Sequence, residues 1–338
     1  MESIDLSKSD LTQRIEEALR AVDLQPRSKV SLAPLCTYRV GGAADIYIEI
    51  DDAEELQRLA RAFSTLVEEH PRALGLINVV GKGSNLLVAH AGVRGLVIRL
   101  GEHFEGVEIL DRTQTRATVL IGAAAALPVS ARRLAAQGLT GFEWAVGIPG
   151  SMGGAVRMNA GGHGADLASV LTRVHLCDLR TGEAVSMNAA QLELGYRRSA
   201  LRSHQLVVAA EVDLEVGDAK EAERRLSEIV RWRREHQPGG ANAGSVFTNP
   251  PGDSAGRLID AAGCRGMRIG SAEVSTKHAN FIQVDPDGNS DDVMELMKAV
   301  VERVRAEHQV TLHAETVLLG FDSRDVAAVK STEVRDQR

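Results

Sequence analysis

The sequence predicts an α+β protein in three parts, and three observations carry that prediction. Over residues 46–80 an alternating apolar run, an amphipathic helix pattern and a second apolar run follow one another, as in a small α/β unit. Over residues 86–216 short apolar runs succeed each other with room for one helix, so this part is strand-rich. From Ala219 long helical patterns alternate with short strands, as in a second small α/β unit.

Taken in order, Asp10 with Gln13 reads as a helix cap. Leu11, Ile15, Ala18, Leu19 and Val22 then share one face until Pro26 ends the helix. Gly41-Gly42 turns the chain into a half-buried strand, where Ile46, Ile48 and Ile50 alternate with Tyr47 and Glu49. Asp52, with Glu55 behind it, caps a helix that buries Leu56, Leu59, Ala60, Phe63 and Leu66, and a strand over 76–80 follows. Strands are expected at 86–88, 96–100, 107–110, 118–121, 170–178 and 206–216, with one helix over 128–137.

The helix over 220–235 turns Ala222, Leu226, Ile229 and Val230 inward. It carries Arg224, Arg225, Arg231, Arg233 and Arg234 as a solvated face. Pro238-Gly239-Gly240 breaks it. A strand over 279–284, a helix over 291–308 and a strand over 310–319 complete the chain before a polar tail. The divisions are a helical extension (1–30), a first unit (31–85), a second unit (86–217), a third unit (218–320) and the tail (321–338).

Composition narrows the function classes. The 338 residues are 44% hydrophobic and carry a net charge of −7, which lacks the basic footprint of a nucleic-acid binder. Three cysteines, Cys36, Cys177 and Cys264, do not form a disulfide framework and suit a reducing compartment. The N-terminus lacks the basic and apolar segments of a signal peptide, and no apolar run is long enough for a membrane span. The expectation is a cytoplasmic protein without membrane insertion. The histidines show no metal-ligand spacing, so no metal is expected.

Glycine carries the functional signal. The first site, Gly81-Lys82-Gly83-Ser84-Asn85, follows a strand pattern, and the second lies in the stretch from Gly138 to Gly164, which holds nine glycines with both ends counted. The site at residues 81–85 does not fit the dinucleotide fingerprint, since Leu86 stands where the third glycine belongs, and it is not a G-x-x-x-x-G-K-[ST] loop. Both are read as backbone cradles for one phosphate-bearing cofactor. Exposed N–H groups with Ser84 and Asn85 suit a pyrophosphate. Gly147-Ile148-Pro149-Gly150-Ser151-Met152-Gly153-Gly154 pairs a rigid proline with residues free to take positive φ, and can press on a flat ring such as a flavin. Asn159-Ala160-Gly161-Gly162 adds a tight turn and an amide. Physics alone leaves open a glycine-rich structural corner.

Three polar groups stand outside the cradles: Arg197 beside Tyr196, Ser245 after Gly244, and Glu315 in an apolar C-terminal run. Residues alone leave each open to a structural role. Ser245 lacks the G-x-S-x-G context and a histidine partner, which argues against a nucleophilic hydrolase.

In this order the motifs resemble the UDP-N-acetylenolpyruvoylglucosamine reductase family. They are Tyr38-Arg39-Val40-Gly41-Gly42, GKGSNLLV, GIPGSMGGAVRMNAGG, GYRRS, AGSVFTNP, AGRLIDAAGCRGMRIGSAEVSTKHANFI and AETVLLG, spread over residues 32–320. The resemblance implies a vanillyl-alcohol-oxidase-like (PCMH-type) FAD-binding fold with a third, small α/β substrate domain. It implies noncovalent FAD, held by Tyr38, residues 81–85, Gly147, Ile148, Pro149, Gly150, Ser151, Gly153, Gly154, Asn159, Ala160 and Gly161. NADPH would be the reductant, and UDP-N-acetylglucosamine-enolpyruvate would be reduced to UDP-N-acetylmuramate.

Residue by residue, the resemblance makes Ser245 the proton donor to C2, Arg197 the carboxylate and enolate partner, and Glu315 its helper. Tyr196 and Asn249 become substrate contacts. The short segment after GYRRS resembles the form without a long tyrosine-bearing lid insertion, and Thr248 departs from the usual basic residue. Two alternatives stay open at this point. One is an FAD-dependent oxidase or dehydrogenase of a small alcohol or sugar; the other is a flavin-free nucleotide-sugar binder. The oligomeric state is left open, with a monomer favoured.

Overall fold

A computed structural model of the protein describes residues 7–330. The first helix, Lys8–Ala21, starts earlier than expected. Ser7 is its cap, exchanging hydrogen bonds with Asp10 in a capping box, so Asp10 is the third helical residue. Leu11, Ile15 and Leu19 are buried against the helix Ala53–Glu69, in the same core as the strands. Residues 7–30 are therefore built into the first unit. Arg27–Ser31 adds an antiparallel edge strand to it.

That unit is a four-stranded sheet in the order Arg27–Ser31, Ala43–Ile50, Val93–Leu100, Ile77–Val79. The helix Ala53–Glu69 is capped by Asp52, while Glu55 reaches back to the Asp51 amide. Two sequence expectations need correction here. The strand expected at 96–100 belongs to this first sheet, where it runs parallel between its neighbours. Leu96, Val97 and Ile98 are all buried, as in a central parallel strand covered on both faces. Tyr47 is buried as well, so Ala43–Ile50 is not half-buried.

The second unit is an antiparallel sheet whose main path runs Glu183–Asn188, Leu171–Asp178, Gln205–Val216, Arg116–Gly122, Val107–Arg112. The strand Glu183–Asn188 has no counterpart in the sequence reading. Its exposed, weakly apolar edge position leaves only a faint alternation to detect. The helices Leu127–Ala136 and Ala219–His236 cover this unit. Ala222 and Leu226 share the core of Leu134 and Phe142, so the charged helix belongs here, not to the third unit.

The third unit follows. A small antiparallel sheet of Arg268–Ile269, Ala272–Val274 and Ile282–Val284 packs with the helices Ala255–Ala261 and Ser290–His308. Its core takes in Tyr38, Val40 and Leu87 from the N-terminal half. The strand Leu86–Val88 pairs in parallel with Val317–Leu319, tying the end of the first cradle to the end of the third unit. The polar tail, where the lack of a sustained period leaves disorder or a loose helix open, is helical over Ser323–Val329, and the Ala314 amide donates to the Val329 carbonyl. Residues 331–338 of that tail lie outside the described residues.

Candidate active site

The two cradles, far apart in sequence, interlock. A Cβ added at Gly81 would stand 2.3 Å from Ser151 Oγ, and one at Gly150 would stand 3.3 Å from Ser84 Oγ. Neither hydroxyl has a protein hydrogen-bond partner among the described residues. Gly83, at φ +61°, lies under the Leu35 carbonyl, where a Cβ would come within 1.9 Å, so this glycine is fixed by the chain's own packing. The second cradle is not the positive-φ loop expected. Gly147, Gly150, Gly153 and Gly154 all have negative φ, and residues Met152–Met158 form a short helix with Ser151 at its N-cap position but no capping bond from its hydroxyl. Close approach is what these glycines supply. A Cβ at Gly147 would meet Ile229, Arg233 and His163 at 3.2–3.3 Å. Arg233, expected on a solvated face, thus packs against this cradle. Burial lowers its pKa, and its Nε donates to Gln237.

Glu315 joins the motifs. Its backbone amide donates to the Val246 carbonyl at 2.8 Å, placing it beside Ser245. Its carbonyl accepts from Asn85 Nδ2 at 3.2 Å, which attaches it to the first cradle. Its carboxylate Oε1 stands 2.6 Å from Arg197 Nε. Arg197 in turn donates from Nη2 to the Gly161 carbonyl at 3.1 Å, in the second cradle. One residue, through its backbone and its carboxylate, therefore links the serine segment, the first glycine site and the arginine turn, and through Arg197 the second glycine site.

The electrostatics follow from that burial. Desolvation raises the Glu315 pKa above its ordinary value, and the Arg197 charge pulls it back. Ser245 opens onto a cavity of about 350 Å³ that is also lined by Asn249, Arg257, Lys277, His278 and Asn280. Arg257 is paired with Asp253, whereas Lys277 has no carboxylate within ion-pair distance among the described residues and donates to the Arg234 carbonyl. His278 is pushed toward its neutral form by burial. Asn249 Oδ1 accepts from the Ala255 amide, which leaves its NH₂ directed elsewhere. Thr248 turns its hydroxyl to the His313 carbonyl.

Residues 236–319 match the family model described as UDP-N-acetylenolpyruvoylglucosamine reductase, C-terminal domain, and residues 44–188 match an FAD binding domain. A UDP-N-acetylenolpyruvoylglucosamine reductase of Rubrobacter xylanophilus is 40% identical over 286 residues, spanning 84% of this chain and 91% of that one. The chain belongs to the UDP-N-acetylenolpyruvoylglucosamine reductase family. A reductase of Synechococcus sp. strain CC9311 is 41% identical over 88% of this chain and 95% of its own. The solved structure of the Thermus caldophilus reductase superposes with a TM-score of 0.73 at 34% identity, covering 88% of this chain and 99% of that chain. The FAD-binding fold implied by the sequence resemblance is thereby shown, and the C-terminal match begins where the charged helix ends.

Within this reductase fold the residues expected to hold FAD separate into two groups. Gly81, Ser84, Gly150, Ser151 and Gly154 stay at the facing cradles, where two hydroxyls are unpartnered among the described residues, a set that fits a cofactor pyrophosphate, whereas Gly153 packs on Ala123, to whose carbonyl its amide donates. Beside this set Ile148 is half-buried and Pro149 exposed.

The second group is occupied by the protein itself. The Lys82 ammonium is taken by Glu105 at 2.6 Å. The Asn85 side chain is taken by Glu315. The Tyr38 ring is fully buried in the third core, though its hydroxyl has no partner. Asn159 is buried, with its amide bonded to Asp166, Gly195 and Ala168. Ala160 and Gly161 bond through their backbones, to Leu167 and Arg197. Tyr196 is 60% exposed and stands against the Arg197 guanidinium.

The sequence reading missed Arg257, Lys277 and His278. Their signal was present inside AGRLIDAAGCRGMRIGSAEVSTKHANFI, which carried the resemblance as a block without being resolved into roles. Between Ser199 and the strand starting at Gln205 there is only a short connection, with no lid element.

Among the described residues no helix is long and apolar enough to cross a membrane. Nor does any group of three or more His, Cys, Asp and Glu side chains there stand ready to hold a metal.

Proposed function

We propose that this chain reduces UDP-N-acetylglucosamine-enolpyruvate to UDP-N-acetylmuramate at the expense of NADPH, and that Ser245, Arg197 and Glu315 carry the chemistry on the substrate side. The observation that carries this reading is the hub at Glu315: its amide donates to the Val246 carbonyl next to Ser245, its carbonyl accepts from Asn85 in the first cradle, and its carboxylate pairs with Arg197, which is bonded to Gly161 in the second. FAD, when bound, supplies the two-electron link between NADPH and the enol ether. In balance, one NADPH and one proton are consumed, C3 gains the hydride equivalent, C2 gains the proton, and NADP⁺ is released.

The side chains account for the rest. Reduction at C3 moves negative charge toward the substrate carboxylate, and a fixed guanidinium there stabilises the developing charge more than the starting one. Arg197 suits this because its planar fork matches a carboxylate. Glu315 holds that guanidinium at 2.6 Å and so fixes its fork for the substrate carboxylate. Ser245 Oγ–H gives its proton to C2 and recovers one from solvent through the cavity it lines.

The nucleotide half of the substrate needs cation and amide donors for two phosphates. Lys277 and the free NH₂ of Asn249 provide them in the cavity beside Ser245. The test is anaerobic. The FAD-loaded protein is reduced with NADPH, mixed with UDP-N-acetylglucosamine-enolpyruvate, and followed by flavin absorbance and product mass. Reoxidation with formation of UDP-N-acetylmuramate is expected. Reoxidation by oxygen alone, with the sugar nucleotide inert, would replace this reading with an oxidase.

A further inference from the structure

We propose that Asn159 is a positioning residue for Arg197, holding the turn that aims its guanidinium, and that this role rests on the reaction proposed above. Asn159 sits at the C-terminal end of Met152–Met158 in the left-handed region, φ 38° and ψ 61°, with 4% of its surface exposed. Its Nδ2 donates to Asp166 Oδ2 and to the Gly195 carbonyl, both at 3.1 Å, and its Oδ1 accepts from the Ala168 amide at 3.0 Å. A side-chain amide has two N–H donors and two lone pairs. Three of the four are used inside the protein, and the two facing oxygens require the orientation with Nδ2 toward them.

Gly195 opens the turn that carries Arg197. The Gly195 amide donates to the Arg198 carbonyl at 3.1 Å, and the Arg198 amide donates back at 3.2 Å. Arg197 itself sits at φ 57°, a conformation that side-chain-bearing residues adopt only when their surroundings impose it. The surroundings here are residues 157–161. Ser199 Oγ donates to the Arg157 carbonyl at 2.8 Å, and Arg157 Nη1 donates to the carbonyls of Leu201 at 2.6 Å and Arg202 at 3.0 Å. These bonds fix the far side of the turn. Among the described residues Asn159 is the one side chain bonded to the Gly195 carbonyl, on the near side. Part of the second glycine stretch thus works as the mould of the arginine turn, in addition to facing the first cradle.

Asn159→Gly separates the side chain from the backbone, since glycine adopts the left-handed conformation freely but brings no amide. In FAD-loaded protein the variant is expected to keep its FAD affinity and its rate of flavin reduction by NADPH. The second half-reaction, with UDP-N-acetylglucosamine-enolpyruvate, should slow by about 10- to 100-fold, the range reached when a reacting group is misplaced by about 1 Å. The same substitution in an Arg197→Ala background decides the matter, because a residue acting through Arg197 has nothing left to act on. No further slowing of the substrate half-reaction is expected there. An equal slowing in both backgrounds, a parent rate in the single variant, or a fall in FAD affinity would each overturn the proposal. If Asn159→Gly does not fold, Asp166→Ala is put through the same cycle. It removes the acceptor that orients the Asn159 amide, and a smaller loss that disappears in the Arg197→Ala background is expected. An Asp166→Ala loss that persists in that background counts against the proposal.

Discussion

Arg197 Nε and Glu315 Oε1 stand 2.6 Å apart, although one lies in a turn of the strand-rich second unit and the other near the C-terminal end of the third. The pair is mostly withdrawn from water. In that setting a fixed charge acts strongly on a substrate carboxylate, and an unpaired one is costly. Arg197→Lys keeps the charge and loses the fork. The expected result is a loss of about 10²- to 10³-fold in the substrate half-reaction, the range for one missing stabilising donor, with FAD affinity retained. Rapid-mixing absorbance of each half-reaction measures this, and an unchanged second half-reaction would remove Arg197 from the chemistry.

Glu315 gives the molecule a pH signature. Burial raises its pKa above the ordinary 4.5, against the pull of Arg197. The folded protein therefore binds this proton more tightly than the unfolded chain does, and the contribution to stability runs against most acidic groups. It is fully present below pH 4.5 and is lost as pH rises through the raised value. Glu315→Gln removes the titration, so its denaturation midpoint should fall less than the parent's across that interval. Midpoints from chemical denaturation at a series of pH values give the comparison, and parallel curves would contradict it.

Glycines of the two cradles should separate into structural and cofactor-facing positions. Gly83→Ala would force a Cβ to within 1.9 Å of the Leu35 carbonyl at φ +61° and is expected to destabilise the apoprotein by more than about 2 kcal/mol. Gly154→Ala brings its Cβ only to 3.6 Å from Ser151 Oγ, in a helix, and is expected to stabilise the apoprotein by about 0.5–1 kcal/mol while weakening FAD binding. Denaturation without FAD, alongside flavin titration by fluorescence, reads both quantities. Unchanged FAD affinity in Gly154→Ala would take that glycine out of the cradle.

Much of this was legible in the sequence, for physical reasons that differ by element. The helix over Ala53–Glu69 was marked by its cap and its buried stripe, and both hold. The strand Val93–Leu100 was visible as a strand but not as a member of the first sheet, because its pairing partners are set by a crossover that leaves no local trace. The charged helix Ala219–His236 carried the right inner face, while what that face packs against is a tertiary matter. At the site, Ser245, Arg197 and Glu315 came from motif order. The bonds that bring them together, Glu315 to Val246 and Asn85, join residues remote in sequence. Asn159 and Lys82 were read as cofactor contacts because a polar residue beside glycines looks the same whether its partner is a ligand or the protein's own chain.

Asn280 offers a test of how firmly the segment after Ser245 must be held. Its side chain donates to the Phe247 carbonyl at 2.8 Å and accepts from the Phe247 amide at 3.0 Å, and it is buried. Asn280→Ala strands both groups of Phe247 and is expected to cost about 1–3 kcal/mol in stability, measured by denaturant titration. A loss within experimental error would mean that water replaces the amide there.

If Ser245 supplies the proton at C2, its removal separates the two half-reactions. Ser245→Ala is loaded with FAD, its folded fraction is checked, and each half-reaction is followed by rapid mixing under saturating ligand. Flavin reduction by NADPH is expected at a parent-like rate, and reoxidation by UDP-N-acetylglucosamine-enolpyruvate is expected to slow by about 10²- to 10⁴-fold, the usual cost of a positioned proton donor. Reoxidation at the parent rate would take the proton transfer away from Ser245.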